Sequence, residues 1–166
     1  MKIILTTEEF KALNWDKNDA EIKIENEYFN LKMKKEYTAE YLFKECKKLF
    51  SCESYIDLSK VKSDRSGDYE IKFRKNIEAD EEWKNISAED LPKDKQFITL
   101  EERLLMELEY FRETGKHLDI YNWTLCAGSC GAGGYVPLVT WSNDGFRVGN
   151  CTPNNSDGLV RARSAV

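Results

Sequence analysis

A chain of 166 residues, 41% hydrophobic and 12% aromatic, can bury a core and is too apolar for global disorder. Its net charge of −5 argues against nucleic acid as a partner, because phosphate neutralisation needs clustered Lys and Arg, although an acidic decoy of a nucleic-acid-binding protein stays open. No apolar run approaches a membrane span, and the three apolar residues after Lys2 are too few for a secretion signal, so the default location is the cytoplasm.

In chain order, "KIIL" reads as a short strand, and Thr6 with Glu9 has capping-box spacing for a helix to about Leu13. Ile22 and Ile24, then Phe29, Leu31 and Met33, alternate with polar residues as in half-buried strands, and the two runs are expected to pair as a hairpin. Thr38 opens a helix in which Leu42, Cys46, Leu49 and Phe50 share a face. "YIDLSKV" and "DYEIKFR" read as two further strands around the turn-rich "KSDRSGD". The pattern predicts a small antiparallel α+β unit over residues 1–76, with no converging catalytic residue types.

Residues 77–97 are acidic, contain Pro92 and lose periodicity, so they read as a solvated connection and a domain boundary. The clearest helix of the chain follows. Thr99 and Glu102 form a second capping box, Leu100, Leu104, Leu108 and Phe111 repeat along one face, and Gly115 stands where a left-handed cap belongs.

Beyond Trp123 the composition changes. Lys and Glu fill 37 of the first 123 positions, and at that rate about 13 would fall in the last 43, yet Thr124 to Val166 contains no Lys, Glu, Gln or Met. Seven of the nine glycines lie from Gly128 onward. Only two short apolar runs, "YVPLVTW" and "FRV", read as strands, followed by the terminal "LVRARSAV"; Pro137 implies an edge position or a bulge for the first, and most of the segment reads as ordered loop. Loops rich in Gly, Ser, Asn, Thr and Tyr on a rigid scaffold suit a binding surface, since Tyr offers contact area at low entropic cost and the small polar residues adapt their hydrogen bonds.

The helix in "TLEERLLMELEYF", the Trp after it, the runs "VPLVTW" and "DGFRV" and the closing "LVRARSAV" resemble the C-terminal half of C-type-lectin-like domains. The nearest group is the variable proteins of diversity-generating retroelements, which share a fold with formylglycine-generating-enzyme-like domains. The resemblance covers residues 98–166 and implies a helix plus a lectin-like display region. In that family, adenine-directed mutagenesis turns AAC or AAT codons into NNY codons, which never encode Lys, Glu, Gln, Met or Trp. Residues 124–166 break that exclusion once, at Trp141.

The resemblance divides the segment into framework and display. Trp123, Val136, Val139, Trp141, Val148, Leu159, Val160, Arg161, Arg163 and Val166 would be framework, the arginines bracing loops through carbonyls or carboxylates such as Asp144 and Asp157. Cys130, Ala132, Tyr135, Leu138, Thr140, Asn143, Phe146, Arg147, Asn150, Cys151, Thr152, Asn154, Asn155 and Ser156 would face the ligand. Strand alternation separates Leu138 and Thr140 from Val139 and Trp141. The implied partner is a protein or glycan surface, bound without a cofactor, in the cytoplasm or on a phage particle. Calcium is not indicated, because only Asp144 and Asp157 offer carboxylates in the segment.

Two other classes stand beside this reading. An enzyme could use Cys126 with His117 as a nucleophile pair, or Cys126, Cys130, Cys151 and His117 as zinc ligands, but a CxxxC spacing alone specifies little. His117 also reads as a residue at a helix C-terminus, where the dipole favours positive charge. A small phage-type inhibitor with one fixed protein partner fits the acidity and size. Five cysteines, an odd number without a regular framework, suit a reducing compartment and leave a Cys130–Cys151 bond open.

Overall fold

The computed structural model describes residues 27–166. The expected strand "KIIL", the helix opening at Thr6 and the strand through Ile22 and Ile24 lie outside the described residues. Within them the fold is mixed α+β.

Strand β1 (Tyr28–Met33) pairs antiparallel with β4 (Tyr69–Arg74), placing Phe29 opposite Phe73 and Leu31 opposite Ile71. The alternation read from the sequence puts Phe29, Leu31, Met33, Ile71 and Phe73 on one buried face. Helix α1 (Ala39–Lys47) starts where Thr38 Oγ1 accepts from the Tyr41 amide at 3.1 Å. It buries Ala39, Leu42, Phe43 and Cys46. Leu49, expected on that face, is exposed, because the helix ends at Lys47 and the amides of Leu49 and Phe50 fold back onto the Cys46 carbonyl.

"YIDLSKV" is not a strand. The Asp57 carboxylate accepts from the Ser59 amide at 3.0 Å and nucleates a 3₁₀ turn at Leu58–Lys60, a local side-chain bond that competes with extended pairing. Short strands flank it, β2 at Cys52–Ser54 and β3 at Lys62–Ser63.

Helix α2 (Leu100–Thr114) has the reciprocal Thr99–Glu102 capping box and ends at Gly115 with φ +68°. It is buried on most sides, beyond the single face marked by Leu100, Leu104, Leu108 and Phe111. Glu102, Arg103 and Glu107 are as inaccessible as its leucines.

Five strands form the main sheet in the order β2, β8, β7, β5, β9. They comprise β5 (Trp123–Leu125), β7 (Val136–Ser142), β8 (Gly145–Cys151) and β9 (Val160–Ala162) beside β2, while β6 (Ser129–Cys130) pairs with β3. Strands β7 and β8 are joined through Asn143 and Asp144, both with positive φ (+50° and +58°), the backbone of a two-residue hairpin turn. The segment expected to be mostly loop is thus about half strand. β2 and β9 join it as parallel edge strands.

Pro137 lies in a central strand rather than at an edge. Its carbonyl accepts from the Cys126 amide on the β5 side, and its missing N–H points the same way, toward a neighbour that has already ended at Leu125.

Both faces of the sheet are covered. Val139, Phe146 and Val148 pack with α2, α1 and the β1–β4 pair in one core, and Val136, Leu138, Cys151, Leu125, Val160 and Ala162 form a second. The cover of the second face is the segment 77–97. Trp83, Ile86, Ala88 and Leu91 reach the core from it while Glu81, Glu82, Glu89 and Asp90 face solvent. Asp80 is buried and accepts from the Ser164 amide at 2.8 Å. This stretch is therefore a packed strap and not a solvated connection. Residues on both sides of it share the first core, so the expected boundary separates no two hydrophobic units. The acidic side chains of a strap that buries only every few residues conceal its apolar anchors.

Gly128 locks the junction of β6 with the start of α2. Its amide donates to the Ile98 carbonyl at 3.0 Å and its carbonyl accepts from Asp64 at 2.9 Å. A Cβ there would stand 2.4 Å from the Phe97 carbonyl oxygen and 3.0 Å from Thr99 Cγ2. Gly128→Ala is expected to destabilise the fold by about 2–3 kcal/mol, read as a lower urea midpoint, because the obstructing atom is backbone and cannot rotate away. An unchanged midpoint would show that the Gly128 turn and the backbone of residues 97–99 can move apart freely.

Candidate ligand-binding surface

The surface rests on a buried charged frame. The backbone of Asp119 is left-handed (φ +53°), and its carboxylate accepts from Arg103 Nε at 3.0 Å, Arg163 Nη2 at 2.9 Å and Thr124 Oγ1. Arg103 Nη1 also reaches Glu107 Oε2 at 2.8 Å, and Glu107 Oε1 lies 2.8 Å from His117 Nδ1. Burial opposes the charge on Arg103, but the Asp119 and Glu107 carboxylates more than offset it and hold the guanidinium above its ordinary value. Arg163 further donates to the carbonyls of Asn76 and Ile77, which ties β9 to the strap. The carboxylate that Arg163 shares with Arg103 is thus Asp119, and neither Asp144 nor Asp157, while Arg161 is bonded to no carboxylate among the described residues. Asp157 caps its own loop by accepting from the Leu159 amide at 2.8 Å.

Frame residues fix the turn 119–122, which lies over Thr140. The Glu78 carboxylate takes three successive amides, Ile120 at 3.0 Å, Tyr121 at 2.7 Å and Asn122 at 2.8 Å. Tyr121 is left 81% exposed.

The candidate display residues separate into three groups. Cys130, Ala132, Tyr135, Asn150, Thr152, Asn154 and Ser156 are exposed and Asn155 is half-buried. They share one end of the sheet, because Val136 pairs with Cys151 and Pro137 with Asn150, so the loop entering β7 lies beside the loop leaving β8. The runs 126–135 and 149–156 carry no charged side chain. Asn143 and Arg147 belong to the opposite end, and eight residues of strand at about 3.3 Å each put Asn143 roughly 26 Å from Tyr135.

Leu138, Thr140, Phe146 and Cys151 are buried, which corrects their assignment to a ligand-facing surface. Alternation placed Leu138 and Thr140 opposite Val139 correctly, but the face they share is itself covered. Leu138 and Cys151 pack in the second core, and Thr140 Oγ1 sits 2.8 Å and 2.9 Å from the carbonyls of Asp119 and Asn122. Phe146 points into the first core, edge-on to Phe50 and beneath the Arg103 guanidinium. Among the framework residues, Val136, Val139, Val148, Val160 and Arg163 are buried, and Trp123, Trp141 and Arg161 are half-buried. Leu159 and Val166 are exposed, at 55% and 58%, and close no core.

The Cys–His pair does not assemble. Burial pushes the Cys126 thiol up, and it lies toward the Thr124 carbonyl. His117 is bonded to Glu107 and stacked on Trp141, with ring centroids 3.3 Å apart. It therefore packs in the core flank rather than marking the helix terminus. The proposed zinc ligands diverge likewise, with Cys126 in the first core, Cys151 in the second and Cys130 exposed. Among the described residues, no three His, Cys, Asp or Glu side chains stand together to hold a metal ion. Cys130 and Cys151 are both free thiols.

No known protein family, curated protein or solved structure matches this chain. No helix among the described residues is long and apolar enough to cross a membrane.

The sequence reading missed the residues at the hairpin end. Arg147 Nη1 donates to Glu53 Oε2 at 2.6 Å and to Tyr55 Oη at 2.8 Å, and Tyr55 is 61% exposed. Their association follows from the parallel pairing of β2 with β8, for which a three-residue strand some ninety positions away carries no local signal.

Proposed function

We propose that the chain is a non-enzymatic binding protein that displays a diversifiable loop surface to a protein or glycan, within a C-type-lectin-like arrangement. The observation that carries this is the gathering of Cys130, Ala132, Tyr135, Asn150, Thr152, Asn154 and Ser156, exposed and uncharged, at one end of a sheet buried on both faces. Exposed side chains outside the core can be replaced at a cost within about 0.5 kcal/mol, which a surface meant to vary requires. All four asparagines after Thr124, namely Asn143, Asn150, Asn154 and Asn155, are exposed or half-buried, which suits AAC or AAT codons as sites of change. The order of helix, short strand, hairpin and terminal strand agrees with the resemblance.

Sequencing the part of the gene that encodes residues 124–166 across the population that carries it tests the proposal. Substitutions to NNY codons should appear at Tyr135, Asn150, Thr152 and Asn154, and be missing at Phe146, Thr140 and Trp141. A uniform segment would remove the diversified receptor and leave the interaction protein with one fixed partner. That second reading draws on Tyr121, which is 81% exposed and lies before the variable segment, with Ile77, Ile120 and Leu159 also exposed.

A further inference from the structure

A cleft of about 210 Å³ that the binding reading does not use opens where three parts of the chain converge. One wall is the exit of β1, at Lys34 and Lys35, with the first turn of α1. The second is the 3₁₀ turn with Leu58 and Ser59, and the third is the loop 65–69 with Glu101 of α2. The floor is apolar and continuous with the first core: Met33 and Ala39 belong to that core, and Tyr37, Leu58, Val61 and Tyr69 pack against it.

The walls are held by the protein's own bonds. The Lys35 amide donates to Asp68 Oδ1 at 2.8 Å, which ties the first wall to the third. Arg65 donates through Nε and Nη2 to the Glu102 carboxylate, at 2.7 Å each, and through Nη1 to Asp64 at 2.7 Å, so its charge is already matched. Tyr69 Oη donates to the same Glu102 carboxylate at 2.7 Å. A cleft formed in advance loses little freedom when it is filled.

The charge left unmatched in the lining has both signs. Lys34 and Lys35 make no ion pair among the described residues, the Lys34 ammonium standing 5.7 Å from the Tyr37 ring centroid. The amides of Ala39 and Glu40 open α1 without an acceptor among the described residues, and the helix dipole adds positive character there. Against these stand the unpaired Glu40 carboxylate and Glu101, one oxygen of which accepts from Ser63 Oγ at 2.6 Å. A simple anion in the cleft would meet two carboxylates, and a simple cation two ammonium groups. A dipolar ion satisfies both sets.

We propose that this cleft binds a small zwitterion with an apolar body, of the size and chemistry of a free aromatic amino acid. The ligand carboxylate takes Lys34, Lys35 and the open amides of α1, and the ligand ammonium takes Glu101. Its ring covers the apolar floor, where two tyrosines reward a flat aromatic body beyond the area it buries. No lining residue belongs to the segment 124–166, so the site is separate from the variable surface and stands or falls apart from the binding reading.

The test is titration of the full isotope-labelled chain with L-phenylalanine, read from backbone amide chemical shifts. Shifts are expected at Ala39, Glu40, Ser66 and Gly67, saturating with a Kd of about 1 mM, the range open to a ligand of this size. N-acetylphenylalanine lacks the ammonium and phenylalaninamide lacks the carboxylate. Each should bind about fivefold more weakly, and so should phenylalanine to the Lys34→Ala, Lys35→Ala double variant. Both lysines are exposed, so the double variant should keep the wild-type spectrum away from the cleft. Absence of shifts at about 10 mM phenylalanine, shifts scattered outside the cleft, or equal binding of inorganic phosphate or N-acetylphenylalanine would overturn the proposal.

Discussion

Asp119→Ala is expected to lower the unfolding free energy by about 3–5 kcal/mol, the usual cost of removing one partner from a buried ion pair. The mechanism is specific. Asp119 is fully buried and joins Arg103 on α2 to Arg163 just after β9, with Thr124 of β5 bonded to the same carboxylate. Without it, Arg163 keeps the carbonyls of Asn76 and Ile77 and Arg103 keeps Glu107, but two guanidinium charges stay enclosed with a single carboxylate between them. Set against the roughly 5–15 kcal/mol that stabilises an ordinary domain, such a loss leaves little reserve. Urea unfolding followed by circular dichroism measures it. Asp119→Asn, which keeps the shape and one acceptor oxygen, should lose less. A loss below about 1 kcal/mol for the alanine variant would mean that water reaches the arginines and that the frame contributes little.

Phe146→Ala should cost about 3–5 kcal/mol, as for aromatic truncation in a closed core. Phe146 is fully buried, edge-on to Phe50 and opposite Trp141 in the β7–β8 register. The same experiment discriminates between its two assignments. A ligand contact at the surface could be truncated with the midpoint unchanged, as Tyr135→Ala should be, within about 0.5 kcal/mol. An equal, small effect for both variants would return Phe146 to the candidate surface.

Where the local rules had a single reading, sequence and structure agree. The Thr99–Glu102 box, the Gly115 cap, and the alternation in Tyr28–Met33 and Tyr69–Arg74 are interactions between residues a few positions apart. The departures share a different cause. Asp57 outcompeted an apparent strand through one short side-chain bond. Trp83, Ile86 and Leu91 anchor a strap without a regular period, so their burial was invisible beside the surrounding carboxylates. Leu138 and Thr140 were placed on the correct face, but whether that face met water depended on the strap and on the turn held by Glu78. The candidate surface was legible to the same extent. Its exposed loop residues follow from composition, while its strand residues required knowledge of what covers each side.

The sequence by itself determined the mixed α+β class, the two described helices with their caps, the β7 and β8 strands, and the Lys- and Glu-free character of the C-terminal segment. Each of these is set by side chains acting on their own neighbourhood. Only the tertiary structure decided that residues on both sides of the strap share one core, that Asp119 is the carboxylate between two buried arginines, and which display candidates face water. These depend on contacts across tens of residues. There the free energy comes from which surfaces are removed from solvent together, and no local period or spacing records that choice.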